Sequence, residues 1–277
     1  MSSLRALVGG RTVVLTGAAG GIGRCLAATL ASAGGRLLLV DIDAEGLAEV
    51  AGRVDAGMVV ADIATASGRA AIEERRRELR MPADILINNA AVERASEFTD
   101  LTEAEIVHAV EVNLVGAMLL SRQMLPEMRR LGRGHVISVS SLAGIKPIPF
   151  NALYNTTKSA LVGFSLSLTK DLAGTGVSAT VVCPAAVRDA GMWARASGGL
   201  SRNRMVESST IGVQDVADAV LHAVRRRPAR VLVGSPVVRA GALLSAAFPR
   251  ADAAMDRVSG LRSVYRQRIR TDRENRL

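Results

Sequence analysis

The sequence predicts an α/β fold: a doubly wound, mainly parallel, Rossmann-like sheet of about seven strands with helices on both faces. Three observations predict it. Short runs rich in Val, Leu and Ile recur along the 277 residues. They are continuously apolar instead of alternating, as strands covered on both faces must be. Helix-length segments separate them, so successive parallel strands connect by right-handed crossovers.

A first strand at 12–16 (TVVLT) runs into a glycine-rich turn and an alanine-rich helix at 22–33. LLLV marks a second strand at 36–40, after which a helical segment starts near Asp43. The third strand, 57–61, leads to a helix at 66–80. A fourth at 84–88 (DILIN) is followed, after a longer interval, by a helix at 111–131. HVISVS at 135–140 is the fifth strand, with a helix at 152–173 behind it. The sixth strand, 177–183, and the seventh, 230–234, flank a helix at 213–226. The least regular stretch is 188–212, with Gly191, Gly198, Gly199 and four arginines. A late loop of this kind tends to cover the crevice beyond the strand ends, where ligands sit in such sheets.

Composition supports a foldable chain: 49% of residues are hydrophobic and 22% charged, a length and balance suited to one large domain. The two cysteines, Cys25 and Cys183, are far apart and offer no disulfide framework or paired metal ligands. With no signal-peptide pattern at the start and no run of roughly 18 uninterrupted apolar residues, the expected location is cytoplasmic. The net charge of +9 is unevenly placed. Residues 1–224 hold 22 basic and 22 acidic side chains, whereas 225–277 hold 13 arginines and four acids. The excess thus lies entirely after residue 224; the expected organisation is a body of residues 1–236 with a basic extension at 237–277, and this distribution speaks against nucleic acid as a partner of the body.

Chemistry gathers in two places. The turn Thr16-Gly17-Ala18-Ala19-Gly20-Gly21-Ile22-Gly23 sits between strand and helix, where glycines allow a sharp turn and close approach of backbone N–H groups to a pyrophosphate. Its spacing is GxxxGxG. Asp41, at the end of the second strand, is placed to accept hydrogen bonds from ribose hydroxyls and to repel a 2′-phosphate, favouring NAD. The alternative for Asp41 is a helix cap. Asp62, after the third strand, is open to an adenine contact or a plain turn role. The second place is Tyr154-Asn155-Thr156-Thr157-Lys158, with Ser140-Ser141 at the end of the preceding strand. A spacing of four puts Tyr154 and Lys158 on one helical face, and an ammonium there favours the phenolate. Ser141 is placed to hydrogen-bond a substrate oxygen. The chain holds only two tyrosines and three lysines, so lysine at 158 is a selective choice.

At these residues the sequence resembles the short-chain dehydrogenase/reductases, in their shorter single-domain branch. The carrying pieces are TGAAGGIG at 16–23, Asp62-Ile63, Asn88-Asn89-Ala90-Ala91, Asn113, Ser140-Ser141, YNTTK at 154–158 and Cys183-Pro184, in family order. The resemblance implies a catalytic set of Ser141, Tyr154, Lys158 and Asn113. Tyr154 would be the acid/base, Lys158 would hold the nicotinamide ribose, and Asn113 would help position a water relay. It implies dinucleotide contacts from Gly17, Ala19, Gly21, Ile22, Gly23, Asp41, Asp62, Ile63, Asn89, Ala90, Tyr154, Lys158, Pro184 and Val187. Asn88, Ala90 and Val112 would line the adenosine-ribose side.

Two departures stand out. Ala91 replaces the family's glycine, at little cost if its φ is negative. After the sixth strand, Pro184-Ala185-Ala186-Val187-Arg188 replaces the usual Pro-Gly motif, and Arg188 stands where a threonine hydroxyl is expected. Arg188 is open to three roles: the pyrophosphate, an acidic substrate, or solvent beside Asp189. His108, His135 and His222 are isolated and suggest packing or surface positions, with no metal site. Asp215 and Asp218 open a helix and suit its dipole. Met192 and Trp193 face either an apolar substrate or the body.

The extension contains an apolar segment, 237–248, too short to span a bilayer. Beyond it Met255, Val258, Leu261, Tyr265 and Ile269 recur at helical steps, with arginines mostly off that stripe. Three roles remain open: docking on a neighbouring subunit, peripheral contact with anionic lipid, or a solvated end. The expected activity is NAD(H)-dependent hydride transfer between the nicotinamide and a small to medium, mainly apolar secondary alcohol or ketone, in a homo-oligomer, dimer or tetramer. The rivals are a catalytically silent dinucleotide scaffold and a sugar-nucleotide epimerase or dehydratase.

Overall fold

The computed structural model describes residues 8–190 and 209–248, together with 250, 262–263, 265–267 and 269 of the extension. Seven strands form one parallel sheet: β1 (Thr12–Thr16), β2 (Arg36–Asp41), β3 (Gly57–Val60), β4 (Ile85–Asn88), β5 (Gly134–Val139), β6 (Val177–Pro184) and β7 (Arg230–Val233). Their order is β3-β2-β1-β4-β5-β6-β7, so the order reverses between β1 and β4. Ligand crevices open at that reversal, beyond the carboxyl ends of the strands.

The helices are α1 (Gly21–Ser32), α2 (Ala44–Val54), α3 (Ala66–Glu78), α4 (Glu103–Val110), α5 (Ala117–Arg130), α6 (Ala152–Asp171), α7 (Val213–Arg226) and α8 (Pro236–Ala247). They cover both faces and generate two cores. Val13 and Leu15 of β1 meet Leu26 and Leu30 of α1 and, farther along the same face, Val216 and Val220 of α7. Val14 points the other way, into a core with Ile72 of α3, Leu120 and Met124 of α5, and Leu168 of α6. Neighbouring β1 residues therefore feed opposite cores, which is why a central strand reads as continuously apolar.

Continuity fails at the edge. β3 alternates between half-buried and exposed residues, with Met58 and Val60 facing outward. An edge strand covered on one face needs only every second residue to be apolar.

The helix expected at 111–131 starts eight residues earlier. Thr102 and Glu105 form a capping box at its start, the Thr102 hydroxyl accepting from Glu105 N at 3.3 Å and the Glu105 carboxylate accepting from Thr102 N at 2.9 Å. The helix then passes through a π-helical segment, Glu111–Gly116, into α5. The continuous helix, Glu103–Arg130, is long and apolar enough to cross a membrane by length and composition alone. Its Leu120, Met124 and Met128 are instead buried against the sheet. Asp43 caps α2, accepting from Gly46 N at 3.0 Å. In α8, Ala242 is buried in the first core with Val238 packed against it, so the chain continues past β7 as part of the body.

Candidate functional site

At the crevice, β1 ends in the glycine turn. Gly17 has φ +66°, and a Cβ there would lie 2.7 Å from the Ala90 Cα. Gly23 is as tightly set, since a Cβ would lie 2.0 Å from the Gly17 carbonyl oxygen. Only glycine serves at these two positions. The turn is braced from β4: Asn89 Nδ2 donates to the carbonyls of Thr16 and Gly17, each at 3.0 Å, while the Thr16 hydroxyl accepts from the amides of Asn89 and Ala90. Helix α1 begins at Gly21 with no side chain capping it and no acid in its first turn. Its first N–H groups are therefore available to an anion.

A cavity of about 400 Å³ opens here, lined by the glycine turn, Asp41 to Asp43, Ala61 to Ile63, Asn89 to Val92, His108 and Val112. Of the dinucleotide residues expected from sequence, Gly17, Ala19, Gly21, Ile22, Gly23, Asp41, Asp62, Ile63, Asn89 and Ala90 all line it. Asp41 does more than face it. Its Oδ2 accepts from Ala19 N at 2.9 Å and its Oδ1 from Asp43 N at 3.1 Å, tying β2 to the glycine turn. Asp62 accepts from Ala64 N at 2.8 Å, the turn role, and also lines the cavity. Ala91 has no positive φ, and its methyl is tolerated.

Three features here escaped sequence reading. Asn88, expected on the ribose side, turns away: it is buried and donates to Ser121 Oγ at 3.0 Å beneath α5. The exposed Ile42 and His108 join the lining. Arg24 reaches the turn from α1, donating to Ala19 O at 2.8 Å and pairing with Glu49 at 2.6 Å. An apolar residue just after a strand-end acid was the available signal for Ile42; nothing local marks the others.

Ser141, Tyr154, Lys158, Pro184 and Val187 lie outside that lining, at the ends of β5 and β6 and on α6. Ser140 Oγ donates to Lys158 O at 2.8 Å, and a Cβ on Gly144 would stand 2.7 Å from the Lys158 carbonyl carbon, so the loop after β5 packs closely on α6. Ser141 accepts from Ala143 N at 3.1 Å and reaches Pro184 O at 3.5 Å. Lys158 is buried, donates to Val139 O at 3.0 Å and lies 5.5 Å from the centre of the half-buried Tyr154 ring. Burial draws the Lys158 ammonium down to about 8, with Cys183 and Glu93 acting in the opposite sense. Burial also pushes the Cys183 thiol up to about 12, so it is neutral near pH 7 and Glu93 is the opposing charge. Glu93 is a further unanticipated neighbour; its carboxylate accepts from Asn151 Nδ2 at 2.6 Å.

Asn113 sits in the π-helical segment, where its side-chain amide is committed to protein partners. It accepts from Val92 N at 2.7 Å and donates to Val92 O at 2.8 Å and Thr157 Oγ1 at 3.1 Å. Any water held at this point must therefore use other atoms of the segment. Asn113 links β4's exit to the residue before Lys158. Arg188 is exposed and donates to Thr210 O at 3.4 Å, while Val187 bridges to Ile211 and Asp189 accepts from Val213 N. Of its three open roles, the surface one matches this placement. Met192 and Trp193 lie outside the described residues. His135 is buried against Thr180, with burial drawing it down to about 3, and His222 lines no cavity described here. Among the described residues no cluster of metal-ligating side chains occurs.

The arrangement is a dinucleotide cradle beside a tyrosine–lysine pair, and comparison with known proteins agrees. Residues 11–199 match the short chain dehydrogenase family, to which the chain belongs. The ketoacyl reductase HetN of Nostoc sp. is 34% identical over 229 residues, covering 81% of this chain and 78% of that protein. Oxidoreductase UcpA of Escherichia coli is 35% identical over 184 residues, covering 65% of this chain and 70% of its own. A metagenomic short-chain oxidoreductase solved with NADP is 30% identical with a TM-score of 0.69, covering 82% of this chain and 97% of that one. The 3-ketoacyl-(acyl-carrier-protein) reductase of Brucella melitensis, solved with NADH, shares the fold at a TM-score of 0.76 and 24% identity, covering 83% and 99%. The protein is thus a nicotinamide-dinucleotide oxidoreductase of the hydride-transferring kind.

Proposed function

We propose that the protein prefers NAD(H) and interconverts a mainly apolar secondary alcohol and its ketone. The observation that carries the cofactor choice is Asp41: its carboxylate lines the cavity at the end of β2, and among the described residues no arginine or lysine lines that cavity. A 2′-phosphate brought there would meet a fixed negative charge, while ribose hydroxyls would meet an acceptor. Arg24, the nearest base to the turn, supports the same reading because Glu49 and two backbone carbonyls already engage it.

When bound, the nicotinamide supplies or takes up the hydride. Tyr154 gives a proton to the carbonyl oxygen during reduction and removes it during oxidation. Lys158, 5.5 Å from the ring, stabilises the phenolate through its charge and holds the nicotinamide ribose. Ser141 turns its hydroxyl from Pro184 O to the substrate oxygen as negative charge grows there. Asn113 keeps Val92 and Thr157 in register beneath this set. The neighbouring stretch 142–145, Leu-Ala-Gly-Ile, is uncharged and supports an apolar substrate. Residues 1–236 form the catalytic body in this proposal, acting in the cytoplasm as a homo-oligomer. A panel of steroid, acyl and terpenoid alcohols assayed with NAD should contain turned-over members, and Tyr154→Phe should lower their kcat/KM by roughly a thousandfold or more while NADH still binds. NADH binding without turnover of any member would favour the silent scaffold instead.

A further inference from the structure

The outer face of α8 has no role in the site. Among the described residues ten large hydrophobic side chains are exposed, and four of them fall within 237–248. Val237 is 82% exposed, Leu243 42%, Leu244 60% and Phe248 62%. At 100° per residue, Val237 and Leu244 return to the same line and Phe248 follows beside them, while Ala242 and Ser245 point into the body. The exposed arc is bordered by Arg239 and followed by Arg250, both exposed. From Ser235 to Arg250 there is no acidic residue at all.

We propose that α8 docks this protein on the surface of an anionic lipid bilayer, its exposed apolar arc lying in the interface and its arginines against the headgroups. The chemistry excludes the other occupants in turn. A twofold contact of this helix with its copy would gather Arg239 and Arg250 of both chains around the arc, with no acid between Ser235 and Arg250 to compensate. A polyanion without an apolar phase would leave Val237, Leu244 and Phe248 in water. Beyond Arg250, two described residues of the extension have a partner on the body: the Arg262 and Arg266 guanidiniums lie over Phe150, 5.5 and 5.7 Å from its ring centre. Twelve residues of helix are about 18 Å long, too short for a hydrocarbon core of about 30 Å, so the helix lies on the surface. The concentration of positive charge after residue 224 suits the same partner, because each surface arginine adds attraction to anionic lipid.

Co-sedimentation of the full chain with sucrose-loaded vesicles tests this, using phosphatidylcholine vesicles with and without about a third phosphatidylglycerol. The protein should bind the anionic vesicles and only weakly the neutral ones. Leu244→Glu/Phe248→Glu should lower the partition coefficient at least tenfold. Arg239→Gln/Arg250→Gln should lower it about fivefold per arginine on anionic vesicles, with little change on neutral ones. This second pair leaves the apolar face intact and decides the matter should the first pair misfold, as read by circular dichroism. No binding to anionic vesicles would overturn the proposal. So would binding indifferent to both pairs, or a dimer in sedimentation velocity that Leu244→Glu/Phe248→Glu splits without altering vesicle binding. None of these readouts depends on cofactor choice or turnover.

Discussion

Asp41 shows how one side chain serves structure and selectivity together. Its two oxygens hold Ala19 N and Asp43 N, so the charge that would repel a 2′-phosphate is also a strut of the glycine turn. NADH should bind at least about tenfold more tightly than NADPH, a difference of roughly 1.4 kcal/mol. Asp41→Ala should narrow that gap to about threefold or less and weaken both cofactors, since the turn loses a brace; fluorescence titration with the two cofactors checks this. Tighter NADPH binding by the unmodified protein would refute the preference. Gly17 offers a second residue-scale test. Gly17→Ala combines φ +66° with a 2.7 Å approach to Ala90, so dinucleotide binding should fall by roughly a hundredfold or more in isothermal titration, with a melting temperature several degrees lower. Asp41 and Gly17 were legible because each acts through its residue type: an acid at a strand end, a glycine where φ is positive. The Asn89 brace was not, because it depends on β4 lying beside β1.

At the level of elements, the π-helical segment Glu111–Gly116 interrupts an otherwise continuous helix, and such segments gather at functional sites. The extra residue per turn places Asn113 on Val92 and Thr157, so one amide couples the exit of β4 to the helix carrying Tyr154 and Lys158. Asn113→Ala would leave Val92 N–H and C=O unpaired beside the crevice, at a cost of about 1–3 kcal/mol for each group that water cannot reach. Its kcat should fall more than its KM rises, because the catalytic helix loses register while the cradle of α1 stays intact. Steady-state kinetics with a responsive substrate separate the two. The start of this helix was readable in principle from Thr102 and Glu105, but the apolar period pointed to Glu111. Only the folded chain shows why: α4 packs on the π-helical segment and on α6, and Ala109 is its one buried residue.

Across the whole molecule, burial governs the response to pH. His135 lies within β5 with its Nε2 on Thr180 Oγ1, and burial, helped by Arg227 and Arg11, draws it from 6.5 to about 3. Between those values the unfolded chain binds a proton that the folded chain refuses, so stability must fall as pH drops from about 6.5 towards 3, by about 4 kcal/mol for this group. His135→Gln should flatten that acid limb in urea titrations repeated at several pH values, even if it lowers stability near pH 7. Lys158 acts with the same sign in an alkaline window. With its folded value near 8 against 10.5, the cofactor-free protein should gain stability as pH rises from 8 to 10.5, and Lys158→Met should abolish that rise. Charge is divided along the chain as well: residues 1–224 sum to zero, and the basic excess follows residue 224.

Local chemistry and periodicity alone determined the sheet, its parallel sense, the glycine turn, the acid after β2 and the spacing of Tyr154 and Lys158, since each is a property of a few consecutive residues. Tertiary structure decided what rests on pairs distant in sequence. It turned Asn88 into the second core, brought Arg24 to Glu49 and Glu93 to Asn151, committed Asn113 to Val92, and set Arg262 and Arg266 on Phe150. For the basic extension this contact with its own body is a placement that none of the three roles drawn from sequence had included. The reason is physical: a hydrogen bond or stacked ring depends on the position of its partner, and that position exists only once the sheet has brought β1, β4 and β5 together.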